Sequence, residues 1–284
     1  MENKLFNKDI EKQCILIDTQ DLTRSASQRS HTDYKIKFND DGTNNTAGYG
    51  GVFKNVIGFR LKKAIIRNDP VNIDSSNSTI VLTLGGTSGS VFPETFNLLP
   101  AHYGFYNGTA LATLLTTDTS WTRFKGGVND AVAPFDTCTF DTATNKLIFL
   151  PSATFNFTTH KDVARLLGFN GDTTTASVGG SDFPIDLSFH YVDVVVNEIP
   201  YIACKKNASG RSLIDRIPIT VGLGALQYYS CDPADFHTQN YFFPITLSEL
   251  NIKLYTDHDN VVKSSDEQHS FEFEITMLKS NKFR

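Results

Sequence analysis

Short runs in which apolar and polar residues alternate recur along the chain and predict β-strands. A period of two places successive side chains on opposite faces of a strand, so each run predicts a strand with one buried face. The clearest buried positions of this kind are Leu250, Ile252, Leu254, Phe271, Phe273 and Ile275. A polar stretch, residues 257–269, joins these two runs and completes a strand–loop–strand unit.

Further strands follow from the same pattern. Residues 34–38 alternate strictly, and residues 56–66 form a longer run whose register a bulge near Lys62 and Lys63 would repair. Residues 135–140 and 146–150 flank a turn and predict a hairpin. Together with weaker runs these segments suggest about eight to twelve strands in all.

Two short helices are expected in the connections between strands. Residues 110–115 follow an Asn and a Thr that can cap free amides, and Leu111, Leu114 and Leu115 lie on one helical face. A second helix is expected to follow Thr159 and to end at Gly168.

Many strands with only two short helices predict an all-β protein, a single jelly-roll β-sandwich with short helices in the connections. Residues 1–33 are polar, apart from one short apolar run, and are expected to form an extended N-terminal arm. The jelly-roll domain is then expected over residues 34–284, with room for a small insertion within 118–184.

Composition excludes several classes of function. The formal net charge of -5 argues against a protein that coats DNA or RNA, so no direct contact with nucleic acid is expected. No apolar run approaches the roughly 20 residues of a transmembrane helix, and no signal peptide is recognised near the start.

The four cysteines form no C-x-x-C pair and are expected to be buried free thiols in a reducing compartment.

No catalytic, metal or cofactor site is predicted. The chain lacks the nucleophile elbow, the phosphate-binding loop and the zinc-protease helix motif. The residues 257–259, Asp-His-Asp, could bind a metal, and so could the cluster of Asp232, Asp235 and His237. Polar loops between strands commonly contain such residues, so a turn is the favoured interpretation for both.

Aromatic residues are the unusual part of the composition, with 22 Phe and 10 Tyr. A large sandwich core accounts for most of them, whereas some are expected at subunit contacts, where aromatic side chains are enriched. The candidate interface residues are Ile15, Leu16, Ile17, Phe105, Tyr106, Tyr241, Phe242 and Phe243.

Several segments, in order, resemble the single-jelly-roll penton and minor capsid proteins of nucleocytoplasmic large DNA viruses and their virophages. Residues 15–21 are similar to the family's I-L-I-D-S-R-D segment, and residues 32–38 to its D-Y-x-I-x-F strand. Residues 53–66 resemble its K-N-V-x-x-I-x-L-x-x-A-x-I run. Residues 99–106 resemble its P-x-G-x-Y unit, although the glycine comes later, and residues 164–169 match its L-L-G-F helix end.

The resemblance spans residues 15 to about 275 and implies a structural protein of an icosahedral virion capsid, made in the host cytoplasm. It implies a penton subunit that forms homopentamers at the fivefold vertices and contacts neighbouring major and minor capsid proteins. Two alternatives stay open. One is a minor capsid or cement protein beneath the major shell. The other is a jelly-roll glycan-binding module, with Trp121 as the residue that stacks on a sugar.

Overall fold

Strands dominate the part of the chain that the structure, a computed structural model, describes. The described residues are 9–19, 32–38, 51–69, 71–75, 77–84, 94–125, 128–150, 153–156, 161–169, 173–176, 180–187, 189–231, 241–256, 261–262 and 269–279. The strands are β1 (Ile10–Asp18), β2 (Asp33–Lys37), β3 (Phe53–Arg67), β4 (Thr79–Leu84), β5 (Glu94–Leu98), β6 (Trp121–Lys125), β7 (Val128–Ala131), β8 (Thr137–Asp141), β9 (Lys146–Leu150), β10 (Ala153–Asn156), β11 (Thr173–Ala176), β12 (Tyr191–Val196), β13 (Lys205–Lys206), β14 (Ser212–Leu213), β15 (Asp215–Pro218), β16 (Leu226–Ser230), β17 (Ile245–Leu247), β18 (Glu249–Thr256) and β19 (His269–Leu278). The α-helices are α1 (Gly108–Leu114) and α2 (Lys161–Leu166), and no helix in these ranges is long and apolar enough to cross a membrane.

The chain divides into two units. One, here called the sandwich unit, contains Met1–Asp69 and Phe189–Arg284, and the other, the inserted unit, contains Pro70–Ser188. The jelly roll is therefore interrupted within residues 34–284. The interruption begins at Pro70, well before the insertion expected within 118–184, because β4 to β7 already belong to the sheet of the inserted unit.

Eight strands of the sandwich unit pair as one long antiparallel ribbon. In chain order, the first pairs with the last (β1 with β19), the second with the seventh (β2 with β18), the third with the sixth (β3 with β16) and the fourth with the fifth (β12 with β15). Rolling up this ribbon gives the two observed sheets, β1-β19-β3-β16 and β15-β12-β18-β2. This is the jelly-roll arrangement, so the predicted all-β jelly roll is confirmed.

One hydrophobic core fills the space between these two sheets. All six positions that the alternating pattern singled out in β18 and β19 are buried in it. Phe59 of β3 stacks on Phe273 of β19 with ring centroids 5.0 Å apart, and Phe271 packs beside Phe273. Alternation along the strands thus supplies one face of each sheet to the core.

Residues 10–18 form a strand of the chain's own sandwich. β1 pairs along its whole length with β19, and Ile15 and Ile17 enter the core. This part of the expected N-terminal arm is therefore an edge strand, because its apolar residues complete the core. Within the expected arm of residues 1–33, residues 1–8 and 20–31 lie outside the described residues.

The inserted unit has its own sheet, β11-β10-β4-β5-β6-β7, a separate hairpin of β8 and β9, and both helices. The side chain of Asn107 accepts a hydrogen bond of 2.9 Å from the N–H of Ala110 and caps α1 as predicted. The leucines of that helix are buried in a second core, whose large members include Phe96, Trp121 and Phe149.

Gly168 ends α2, as the sequence predicts. Its φ of +77° is in the left-handed region, and the N–H of Phe169 donates to the carbonyl of Ala164 at 2.7 Å across the turn. A Cβ atom at this position would clash with the carbonyl oxygen of Phe183. Both the backbone angle and the space therefore require glycine here.

Gly168→Ala is expected to destabilise the inserted unit more than a backbone penalty alone would. Gly210→Ala in the sandwich unit is the matched control, since Gly210 has a φ of +81° and open space around the added atom. Left-handed backbone costs about 1–2 kcal/mol for alanine, and the clash at Gly168 adds about 1–3 kcal/mol. Urea unfolding of both variants measures the difference, and equal losses would contradict the role assigned to the Phe183 carbonyl.

Candidate interaction surfaces

A shallow groove lies on the outer face of the sheet β1-β19-β3-β16. The residues that line it, here called the outer groove, are Leu16, Lys63, Ala64, Ile65, Tyr228, Tyr229, Ser230, Ser270 and Glu272. Strand register brings them together, because Leu16 lies opposite Glu272 and Ile65 lies between Ser270 and Tyr228. Leu16 is 65% exposed and Tyr228 is 67% exposed, so large apolar groups face solvent on this sheet.

Alternation explains why Leu16 and Tyr228 point outwards. Ile15 and Ile17 enter the core, so Leu16 between them must face the other side of β1. In β16, Tyr229 packs against the core and its hydroxyl donates to the carboxylate of Asp215 at 2.6 Å. The adjacent Tyr228 therefore projects from the outer face.

The carboxylate in the outer groove is neutralised by two lysines. Glu272 lies 3.0 Å from the ammonium of Lys62 and 3.1 Å from that of Lys63. The hydrogen bond from Lys62 is the main reason why the pKa of Glu272 lies below its usual value. A paired carboxylate is less costly to cover than an isolated one, so this charge leaves the groove suitable for burial.

A second paired carboxylate continues the outer face beside the groove. Glu274 lies 2.7 Å from the guanidinium of Arg60 and 3.2 Å from the ammonium of Lys12. Burial by itself would raise the pKa of Glu274, but the hydrogen bonds from Arg60 and Lys12 outweigh it and the pKa is lowered. The outer face therefore holds its charges in pairs that link β1, β19 and β3.

A second exposed apolar feature is the segment of residues 241–244. Phe242 is buried in the sandwich core, and its N–H donates to the carbonyl of Ile57 at 2.9 Å. On either side of this anchor Tyr241 is partly exposed and Phe243 is 92% exposed. We call the Phe243 side chain the aromatic knob, because a rigid attachment presents it almost wholly to solvent.

The structure sorts the interface candidates into three groups. Leu16, Tyr241 and Phe243 are exposed on the sandwich unit. Ile15, Ile17 and Phe242 are core residues, because strand alternation and the Phe242 anchor turn them inwards, so they are not available for contacts.

The remaining candidates, Phe105 and Tyr106, are half-buried in the inserted unit. The hydroxyl of Tyr106 donates to the carbonyl of His102 at 2.6 Å, and burial raises the pKa of this side chain. Lys63, Ile65 and Tyr228 line the outer groove and are not among the residues predicted from the sequence. The adjacent tyrosines 228 and 229 contained a usable signal, since neighbouring residues of a strand face opposite sides.

The sequence also offered two metal-binding clusters and Trp121 as candidate sites. Among the residues that the structure describes, no group of three or more His, Cys, Asp or Glu could hold a metal, and both clusters named from the sequence lie outside these residues. Trp121 is buried, and its indole N–H donates to the carbonyl of Leu114 at 2.8 Å. A buried indole cannot stack on a sugar, so Trp121 does not support glycan binding.

No protein family model matches the sequence, and no curated protein matches it. Among solved structures, the chain is similar to the crystal structure of selenomethionine-labelled mavirus penton protein, with 8% identity and a TM-score of 0.47. The alignment covers 95% of this chain and 99% of that chain. The jelly-roll assignment rests on the strand pairing and not on this likeness. The class of protein that the fold defines is a jelly roll with a β-rich insertion.

Thiol labelling is expected to distinguish the cysteines. All four are thiols, Cys14 is exposed beside Lys62, and burial raises the pKa of the Cys138 thiol to about 12. Cys138 is buried as expected, whereas Cys204 and Cys231 are partly buried and Cys14 is exposed. A maleimide should label Cys14 at least about 100-fold faster than Cys138, because the thiolate is the reactive form. Mass spectrometry of the labelled native protein measures the two rates. The control Cys14→Ser should remove the fast label. Fast labelling of Cys138 would contradict its buried position.

Glu272→Gln is expected to destabilise the sandwich unit near neutral pH and much less in acid. The pKa of Glu272 is lowered, so its contribution is present above the unfolded value of about 4.3 and is lost as the pH falls through the folded value. We expect a loss of up to about 1 kcal/mol near neutral pH. Denaturant unfolding near neutral pH and at about pH 3 tests this. Glu11→Gln, an exposed site on β1, is the control, and a loss that does not change with pH would contradict the ion pairs.

Proposed function

We propose that the protein is a structural subunit of a viral capsid and that it forms the penton at the fivefold vertices. The observation that carries this proposal is a complete jelly-roll ribbon whose outer sheet face exposes a contiguous apolar groove. Exposed apolar surface that strand geometry fixes in place is typical of a surface that another protein covers. The function is thus packing against other subunits and not catalysis.

The chemistry of the outer face supports burial in an assembly. Tyr228, Leu16 and Ile65 supply aromatic and aliphatic area, of the kind found at the centre of subunit contacts. The carboxylates of Glu272 and Glu274 already have cationic partners within the sheet, so covering them leaves no isolated charge.

The ordered segments that resemble the penton family are the reason to place the subunit at the vertex. A penton is a ring in which each copy repeats one contact, and such a ring closes when the rotation between copies returns to the start. The resemblance also assigns the partners, which are further copies of the chain in a homopentamer and the neighbouring major and minor capsid proteins. The site of action is then the virion capsid, after synthesis in the host cytoplasm.

Counting copies in purified particles tests this proposal. Quantitative mass spectrometry of particles from the virus that encodes the chain should find about 60 copies, five at each of twelve vertices. Intact vertex complexes released by mild disruption should show fivefold symmetry by electron microscopy. A very different copy number would assign the chain to the cement layer, and absence of the chain from particles would overturn the capsid role.

A further inference from the structure

We propose that the aromatic knob of one copy inserts into the outer groove of a second copy, so that the subunits join head to tail. This inference rests on the proposed function and specifies the contact between copies. The two surfaces differ in shape, since Phe243 projects from the sandwich unit and the groove is concave. They agree in chemistry, because both are apolar and aromatic.

The aromatic knob is built to bind without first becoming ordered. Phe242 is fixed in the core, and the strand that follows, β17, pairs with the first residues of β3 through Ile245 and Leu247. Pro244 further restricts the backbone between the knob and that strand. A rigid aromatic side chain loses little conformational entropy on burial, as the residues that dominate subunit contacts do.

The outer groove offers a matching receptor. Leu16, Ile65 and Tyr228 provide its apolar surface, and the ring of Tyr228 can take an edge-to-face or offset position against a phenyl ring. Glu272 in the groove is paired with Lys62 and Lys63, so an incoming phenyl ring meets no unpaired carboxylate. Lys63 also lines the groove, and the aliphatic stem of a lysine can cover apolar surface while its ammonium stays in water.

The knob cannot fill the groove of its own chain. Phe242 is attached at Ile57, near the start of β3, whereas the groove surrounds Ile65, eight positions further along the same strand. At about 3.3 Å per residue, these positions are roughly 26 Å apart. A single phenylalanine side chain does not span that distance, so the groove that receives the knob must belong to another copy.

Two different surfaces on each copy define a heterologous contact. Each copy then offers one knob and one groove, and successive copies form a ring when the rotation closes. The competing arrangement, in which the knobs of two copies meet each other, would give a symmetric dimer instead. Substitutions that alter only the knob or only the groove distinguish these two arrangements.

The first experiment removes each side of the contact. Phe243→Asp and Tyr228→Glu both alter exposed side chains, and thermal unfolding checks that each variant folds as the wild type does. Phe183→Asp, which removes an exposed phenylalanine from the inserted unit, is the control. In sedimentation velocity over rising concentration, the wild type and the control should associate, and each groove or knob variant should associate at least about 10-fold more weakly.

The second experiment mixes the two variants. Phe243→Asp keeps its groove and Tyr228→Glu keeps its knob, so an equimolar mixture should form a complex of two subunits and nothing larger by native mass spectrometry. Self-association of either variant at the wild-type level would overturn the knob-in-groove contact, as would a mixture that stays monomeric. A wild type that stays monomeric at the highest concentration would also overturn it. The copy count in particles decides the capsid role separately, so the two failures can be told apart.

Discussion

The position of β19 between β1 and β3 is the constraint on which the sandwich unit depends. Phe271, Phe273 and Ile275 of this strand supply the centre of the core, and the strand pairs on both sides over most of its length. The hydroxyl of Thr19 donates to the carbonyl of His269 at 3.1 Å and accepts from its N–H at 3.0 Å, which fixes the start of the pairing. Contacts between residues about 250 positions apart cannot form until the chain closes a very long loop, so we expect slow folding of this unit.

The same pairing decides what the outer face displays. A slip of one residue between β1 and β19 would turn Leu16 into the core and expose Ile15 and Ile17. The outer groove and the core are therefore two results of one register. The ion pairs of Glu272 and Glu274 run across β1, β19 and β3 on that face, so they stabilise the register that creates the groove.

Residues with strong local patterns could be predicted from the sequence. The alternation in β18 and β19, the cap at Asn107 and the stop at Gly168 depend on near neighbours, and all agree with the structure. The nineteen strands in the described part of the chain exceed the predicted count because several contain only two to four residues, too few for a period to be recognised. The insertion boundary at Pro70 and the outer groove depend on pairing between distant strands. A local pattern contains no information on such partners. Alternation shows that Tyr228 and Tyr229 face opposite sides of their strand, but the neighbouring strands decide which of the two faces solvent.

The pairing of the first strand with the last has a geometric consequence for the ends of the described chain. The N–H of Lys279 donates to the carbonyl of Asp9 at 3.0 Å, so these two residues lie side by side at one corner of the sheet. A few linking residues could join them in a circular permutant, with new termini opened in a surface loop elsewhere. Fluorophores attached beside residues 9 and 279 would then report on one and the same corner of the molecule.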